Sequence, residues 1–402
     1  MPRKPMRDYR DTLYPSESIK FSDENCEDFF KFITDRHNIW VNRFIHKLPR
    51  DQWTENPVLQ VTKYTNVYRQ LDRGSIWCYQ NIITPTIDFH NSGNQRNNFK
   101  LMRDLIFKIT LYRLANRIET FEETGLPMTF GKFNFKKFCK FIYKRNETKP
   151  VTTSAHLTCP TPKGLTKAEG YLISVLDLCN KVNDSTKAIM KLFAEYDTTE
   201  HNEEVGREFG QKFHKLLKEP RSVGDFTAYE IYCDLCYSGL IPFTTNDFAN
   251  IGPGAKEGIR IMYPSTPSKE QYDKIVKLLK TQHKKFKKYG LKFQFYNKHE
   301  PVKNSLGLRS IEHSLCEYSK YFLQSRGHGK VRMLYDKDVQ NHNCVIDKKT
   351  GDTLIEVNKK VYEKFYKRSK ILSSKKSNFP TATNTEELKQ ALTKIKLKLD
   401  LS

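Results

Sequence analysis

Apolar side chains return every three to four residues along most of this chain, a spacing that lines one face of an α-helix and leaves little choice of fold class. Over 24–48 the set Phe29, Phe30, Ile33, Trp40, Val41, Phe44, Ile45 and Leu48 keeps that rhythm. The same pattern predicts helices over 64–83, 99–121, 168–196, 203–217, 226–235, 269–289 and 308–324, with Pro85 closing the second. Strand signals are confined to 291–297 (LKFQFYN) and 352–357 (DTLIEV). Hydrophobic residues are 38% of the 402 positions and aromatics 12%, enough to fill a core between helices, so the expected fold is mainly α.

Lysine and arginine outnumber the acids by 69 to 46, a formal charge of +23 that calls for a polyanionic partner. Nucleic acid is preferred to a membrane surface, because every apolar run is short and broken by Lys, Arg or Asp. The start, MPRKPMRDYRDTLYP, is charged and has no apolar core of a signal peptide, so secretion is not expected. Nine scattered cysteines suit a reducing compartment, intracellular in general and nuclear if the source is eukaryotic. Cys233 and Cys236 form a C-x-x-C with no second pair at zinc spacing, which reads as buried thiols, and no metal or cofactor is expected.

Internal repeats are absent, and no G-x-x-x-x-G-K followed by Ser or Thr occurs, so the chain carries no P-loop kinase of its own. Polar, Pro-containing stretches at 144–167 and 263–269 (YPSTPSK) read as linkers. The expected organisation is an N-terminal arm over 1–21, a helical domain over 22–330 and a Lys-rich extension over 331–402. The extension contains KRSKILSSKKSN (367–378), a candidate nuclear-import signal.

Polar stripes interrupt the apolar helices. Asn66, Arg69 and Arg73, with Asp72 at the edge, share one face of the expected second helix, and Arg113, Asn116 and Arg117 share one of the third. Buried guanidinium groups need partners, so two readings stand: a structural Arg–Asp network, or a cleft that binds phosphate through paired hydrogen bonds. A third stripe in LRSIEHSLCEYSKY brings His313, Cys316, Glu317 and Lys320 to one side, fit either for acid–base work or for a plain helix-surface ion pair.

Residues 213–236 read helix, short turn, helix around PRSVG. Such a hairpin grips one DNA strand, since turn glycines let backbone N–H groups reach a phosphate at the N-terminus of the second helix. Ser222 and Gly224 are the turn candidates. Enzymes that act on a base extrude it into a pocket beside an acid. Asp247 lies 23 residues beyond Gly224 (247 − 224), in TTNDFANIGPGAKEG, and is the candidate acid. Gly252 and Gly254, with Lys256, would open a further helix whose N-terminus holds an anion.

Together the segments WTENPVLQVTKYTNVYRQLDR (53–73), FKITLYRLANRIETF (107–121), VGDFTAYEIYCDL, NDFANIGPGAKEG and IEHSLCEYSKY stand in the order found in one family. From about Ser22 to Lys330 the chain resembles the helical domain of 5-hydroxymethyluracil DNA kinases and their relatives, the alpha-glutamyl/putrescinyl thymine pyrophosphorylases. The resemblance implies a two-lobed helix–hairpin–helix, DNA-glycosylase-like fold with a basic C-terminal extension. It implies a transferase on a flipped thymine-derived base: an amine-bearing small molecule displaces pyrophosphate from the exocyclic carbon. Asn66, Arg69, Asp72, Arg73, Arg113, Asn116 and Lys320 would then bind substrate or pyrophosphate, and Asp247, Glu317 and His313 would handle protons. The chain departs from the pattern at Ser222, where a hairpin glycine is usual, at Ala115–Asn116, and at Phe226, where glycosylase/lyases carry a Schiff-base Lys. Only Cys316 and Cys344 follow Asp247, too few for an iron–sulfur cluster. Two alternatives remain open at this point: a monofunctional DNA glycosylase, and a non-catalytic DNA-binding or chromatin protein on the same scaffold.

Overall fold

A computed structural model describes residues 23–92, 98–153, 161–196, 202–241, 243–296, 304–326, 335 and 384–397. It is mainly helical, with no strand among the described residues. In chain order the helices are α1 (Asp23–Trp40), α2 (Pro57–Val61), α3 (Arg73–Cys78), α4 (Thr84–Asn91), α5 (Asn98–Ala115), α6 (Ile118–Glu122) and α7 (Phe135–Thr148). They continue as α8 (Lys167–Tyr196), α9 (Glu203–Leu217), α10 (Asp225–Tyr237), α11 (Pro253–Met262), α12 (Gln271–Lys288), α13 (Leu308–Gln324) and α14 (Thr385–Leu397). Among the described residues, no helix is long and apolar enough to cross a membrane. The chain divides into two compact units, Met1–Arg69 with Ile251–Asn343, and Gln70–Asn250 with Cys344–Ser402.

In the first unit α1, α11, α12 and α13 pack on one another around an aromatic core. Phe29 meets Tyr318 edge-on at 5.3 Å, Phe30 meets Phe286 at 4.9 Å, and Phe32 stacks on Tyr321 at 4.6 Å. The tightest contact is between α11 and α13. A Cβ built on Gly258 would lie 2.3 Å from the Leu315 carbonyl oxygen, and one on Gly254 would lie 2.4 Å from Cys316 Sγ. Only glycine lets these two backbones approach so closely. Buried polar groups are bonded across the core: Asn25 donates to the Ile261 carbonyl (3.1 Å) and Arg36 to Ser314 Oγ (2.8 Å).

Residues 291–296, expected as a strand, have no regular structure. Their aromatic rings pack on α1 and α12 instead: Phe293 stacks on Phe286 and on His37, and Tyr296 meets Trp40. Side chains take up the backbone groups, with His37 Nε2 2.8 Å from the Gln294 carbonyl and Tyr68 Oη accepting from the Tyr296 N–H at 3.1 Å. His37 is a neutral core residue, its pKa lowered by burial to about 4. The other expected strand, 352–357, lies outside the described residues.

In the second unit α5 runs against α8, and α10 packs on α5 while α9 packs on both α8 and α10. The expected helices over 203–217 and 308–324 form as Glu203–Leu217 and Leu308–Gln324. Three others do not form as single helices. Helix α1 stops at Trp40 and passes into a π-turn, Val41–Ile45. Over 64–83 there is first irregular chain, then a single 3-10 turn (Arg69–Leu71), then α3 and a second π-turn, Tyr79–Ile83. That second π-turn admits Pro85 inside continuing helix: α4 carries on to Asn91, because the widened turn relieves the clash a proline makes with the carbonyl four residues back. Over 99–121, α5 ends at Ala115 because Asn116 turns left-handed (φ 49°) and its N–H bonds the Tyr112 carbonyl at 2.6 Å. Helix α7 occupies part of the stretch read as a linker, and α14, inside the Lys-rich extension, docks on α8 through Lys396 and Glu169 (3.2 Å). The 263–269 linker forms as a turn leading into a 3-10 turn, Ser268–Glu270.

Gly258→Ala is expected to destabilise the protein by about 1–3 kcal/mol, because the new methyl meets backbone that cannot move aside. Chemical denaturation of the variant against wild type measures it; an unchanged midpoint would show that α11 and α13 are not held at this separation.

Candidate functional site

The helix–turn–helix of the second unit is built from strong local signals. Asn202 caps α9, its side chain accepting from the Glu204 and Val205 N–H groups at 3.0 Å each. After α9 ends, the Val223 N–H closes a turn on the Pro220 carbonyl at 2.9 Å, and Gly224 takes the N-cap position of α10. The turn is fastened to α8. Buried Asp177 accepts from the Arg221 N–H at 2.8 Å, the Ser174 and Ser222 hydroxyls meet at 2.5 Å, and Lys181 donates to the Glu219 carbonyl at 2.9 Å. Ser222, standing where a glycine was expected, therefore serves as an anchor. Arg221, Gly224, Asp225 and Phe226 face outward. Gly224 has an ordinary φ of −79°, and a Cβ there would touch nothing within 4 Å. The fold itself does not need a glycine at that point.

Asp247 is half-buried in the loop that follows α10. Its Oδ2 accepts from the Thr244 N–H (2.5 Å) and the Thr244 hydroxyl (2.8 Å), and Tyr232 donates to the Thr244 carbonyl at 3.1 Å. Two glycines of α9 receive this loop. A Cβ on Gly206 would stand 2.9 Å from Asp247 Oδ1, and one on Gly210 would stand 2.1 Å from Phe248 Cβ. The carboxylate is thus held in one place against α9. Sequence reasoning missed the two glycines, although their spacing of four in EEVGREFGQKF marks a single helix face.

Arg113 is buried and surrounded by carboxylates. Its Nε and Nη2 bond Asp234 Oδ2 and Oδ1 at 2.6 and 2.7 Å, Nη1 lies 3.3 Å from Glu230 Oε2, and Asn116 Oδ1 accepts at 3.3 Å. Burial acts to lower the pKa of this guanidinium, but the charge of Asp234, its hydrogen bonds and Glu230 outweigh it and hold the pKa well above the usual value. Cys78 donates to Asp234 Oδ2 (3.6 Å), and burial drives its thiol pKa up. Glu230 and Asp234 were missed, though an acid pair four apart in AYEIYCDLCY, otherwise apolar, is a visible request for a buried cation. Arg73 is exposed and pairs with Glu119 at 3.2 Å, and half-buried Asp72 stands at the N-cap position of α3.

In the first unit the third stripe assembles along α13. Lys320 Nζ lies 2.7 Å from Glu317 Oε1, and His313 Nε2 lies 3.8 Å from the same oxygen. Burial pushes the Cys316 thiol up to about 11, and the charges acting on it include Lys320, Glu317, Glu312 and Arg69. Arg69 is buried in its 3-10 turn. Asn66, half-buried, precedes it. The anion expected at the start of α11 is supplied by the protein: Glu312 Oε1 accepts from the Gly252 N–H at 3.2 Å. Gly254 is taken up by packing on Cys316, and Lys256 is exposed.

This geometry can be set beside known proteins. The family model of the 5-hmdU DNA kinase, helical domain, matches residues 23–330. The chain belongs to this family. Among curated proteins, a 5-hmdU DNA kinase of Bacillus phage SP10 is 25% identical over 311 residues, which is 73% of this chain and 44% of that protein. The chain thus spans less than half the length of the curated relative it matches. No solved structure matches. The family match takes in the anchored hairpin, the Asp247 loop, the Arg113 network and the α13 stripe.

Asp234→Ala is expected to cost about 3–5 kcal/mol, because it strips buried Arg113 of its two shortest bonds. Arg113→Met combined with Asp234→Leu should recover most of that loss. Thermal unfolding of the single and double variants decides it; equal losses would show that the pair does not act as one unit.

Proposed function

We propose that this protein modifies DNA at 5-hydroxymethyluracil or its pyrophosphorylated form, with the target base turned out of the duplex. The observation that carries the reading is the hairpin between α9 and α10, read as a helix–hairpin–helix. It is pinned to α8 at three points and leaves Gly224 exposed with open space over its Cα. A glycine that the fold does not require suits a backbone that must come close to something outside the chain, and a DNA phosphate is the natural visitor to a helix N-terminus. The net charge of +23 and membership of the 5-hmdU DNA kinase helical-domain family point the same way.

For the reaction we favour displacement of pyrophosphate by an amine. The amine nitrogen bonds to the exocyclic methylene carbon, the carbon–oxygen bond breaks, pyrophosphate leaves with the electron pair, and the nitrogen gives up a proton. In the first unit Arg69 and Lys320 are the cations suited to the departing pyrophosphate, with Asn66 in support. Glu317, beside His313, is the group suited to the proton. Arg113, Asn116, Asp72 and Arg73 then serve the substrate by holding the shape of the second unit.

A second reading is favoured by one surface. Helix α12 carries seven lysines and a single Asp, and Lys277, Lys280, Lys284, Lys287 and Lys288 are exposed along it. Phosphate neutralisation by such a face binds DNA without chemistry.

Mass spectrometry of nucleosides from the source DNA, with and without the gene, tests the proposal. A nucleoside heavier than 5-hydroxymethyl-2′-deoxyuridine that vanishes with the gene is expected, and Glu317→Gln should abolish it. Only the four standard nucleosides in both samples would overturn the enzyme reading, and abasic sites would favour a glycosylase. Gly224→Thr should leave thermal stability within about 0.5 kcal/mol of wild type, since Thr caps a helix about as well as Gly. It should nevertheless weaken binding to duplex DNA; unchanged binding would remove the hairpin from the interface.

A further inference from the structure

Helix α14 lies beyond residues 23–330, the span that the family model matches, yet it is seated beside the hairpin. Its buried side chains, Leu388, Leu392 and Ile395, recur at helical spacing, and it packs on α8. At one end Lys396 pairs with Glu169, on the first turn of α8, at 3.2 Å. At the other end Thr385 Oγ1 accepts from Arg221 Nη1 at 3.0 Å. Arg221 belongs to the turn between α9 and α10, and its N–H is held by Asp177 of α8. Helix α14 therefore runs back along α8, from the hairpin toward the α8 start. Asn384 caps it, accepting from the Glu386 and Glu387 N–H groups at 3.0 and 2.9 Å. Those two exposed acids thus stand on the helical turn that meets Arg221.

We infer that α14 is a detachable cover which holds the hairpin back from DNA, given the reading of that hairpin as a phosphate-binding turn. While α14 is seated, the Arg221 guanidinium is engaged by its own chain, three positions before Gly224 (224 − 221). The charge pattern of α14 sets the direction of the effect. Lys394 and Lys396 lie at the far end, whereas residues 385–389 carry a net charge of −1 from two Glu and one Lys. Lys389 pairs with Glu386 at 3.2 Å, and the excess carboxylate remains at the hairpin. A helix that helped to hold DNA would turn its lysines toward the phosphate, and this one turns its acids there. The seat is also of a kind that can be left. A helix of 13 residues is marginal by itself in water, so α14 folds only as it docks, and three buried side chains must offset its ordering. DNA that binds the uncovered hairpin draws the equilibrium away from the seat.

Two full-length variants test the cover, each compared with wild type in binding a duplex that carries one 5-hydroxymethyluracil at fixed salt. Leu388→Asp with Leu392→Asp removes the seat, and Lys396→Glu sets two carboxylates against each other at its far end. Freeing a helix that is seated about nine-tenths of the time tightens binding about tenfold, which is the gain expected of the double variant. Lys396→Glu should tighten binding about two- to threefold. Both changes add negative charge, which by itself would weaken binding to DNA. Hydrogen exchange at the α14 amides should be slow in free wild type, and fast in the double variant and in wild type saturated with duplex. Binding by both variants equal to or weaker than that of wild type overturns the cover and leaves the hairpin reading in place, as do α14 amides that stay protected on duplex. Slow exchange at α14 in the double variant overturns the seat. If neither wild type nor the double variant binds duplex, the hairpin reading falls with the cover.

Discussion

Two pairs of glycines, each four residues apart, determine which surfaces of this chain can touch. Gly254 and Gly258 let α11 lie against α13 at a distance no side chain would allow, and Gly206 and Gly210 let the Asp247–Phe248 loop settle on α9. Each pair sits on one face of a short amphipathic helix, where i and i+4 positions align. The candidate residues of each unit depend on the contacts within it. Close packing of α11 and α13 brings Glu312 to the Gly252 N–H and sets Cys316 against Gly254, so the stripe of His313, Glu317 and Lys320 starts from a fixed backbone. The loop on α9 fixes where Asp247 stands relative to the hairpin that follows from the same helix.

Charge burial works on top of that packing. Arg113 makes paired bonds to Asp234 with Glu230 beside it, so a cation inside a helical core is compensated by two carboxylates from a single neighbouring helix. A buried pair of this kind adds little net stability but penalises strongly any arrangement that separates its members. It therefore selects one register between α5 and α10. Because α10 begins at the hairpin turn, that register also fixes the turn. The bland reading of the arginine stripe, a structural network, describes the bonds Arg113 makes.

Long amphipathic helices were legible from periodicity alone, since α9 and α13 need nothing beyond their own apolar faces and caps. The segment 64–83 was not. Its apolar spacing is helical, yet Tyr64 and Tyr68 are drawn to Gln324 and to Ser305 and Tyr296, and those long-range bonds override local preference. The end of α5 turned on one residue, Asn116, whose tolerance of a left-handed backbone is a weak signal inside an apolar run. The LKFQFYN segment shows the converse limit: alternation predicts a strand only where a partner strand exists, and here the aromatic rings found helices first. Among candidate site residues, residue types and motif order singled out Asp247, Arg113 and the α13 stripe, but the acids that meet Arg113 lie on another helix, and a linear reading does not show which cation an acid pair holds.

The glycines also separate what the fold requires from what it leaves unexplained. Substituting Gly206, Gly210, Gly254 or Gly258 would drive a methyl into the chain itself, so packing accounts for all four. Gly224 differs: its backbone angles suit any residue, and its Cα faces open space. Phe226 presents the same contrast in apolar form, an outward ring at the head of a helix whose later side chains are all covered. Both exceptions fall on one turn, and that turn is fastened to α8 more firmly than its exposure alone would demand. At Gly224, unlike the four packed glycines, the contacts inside the chain do not account for the choice of residue.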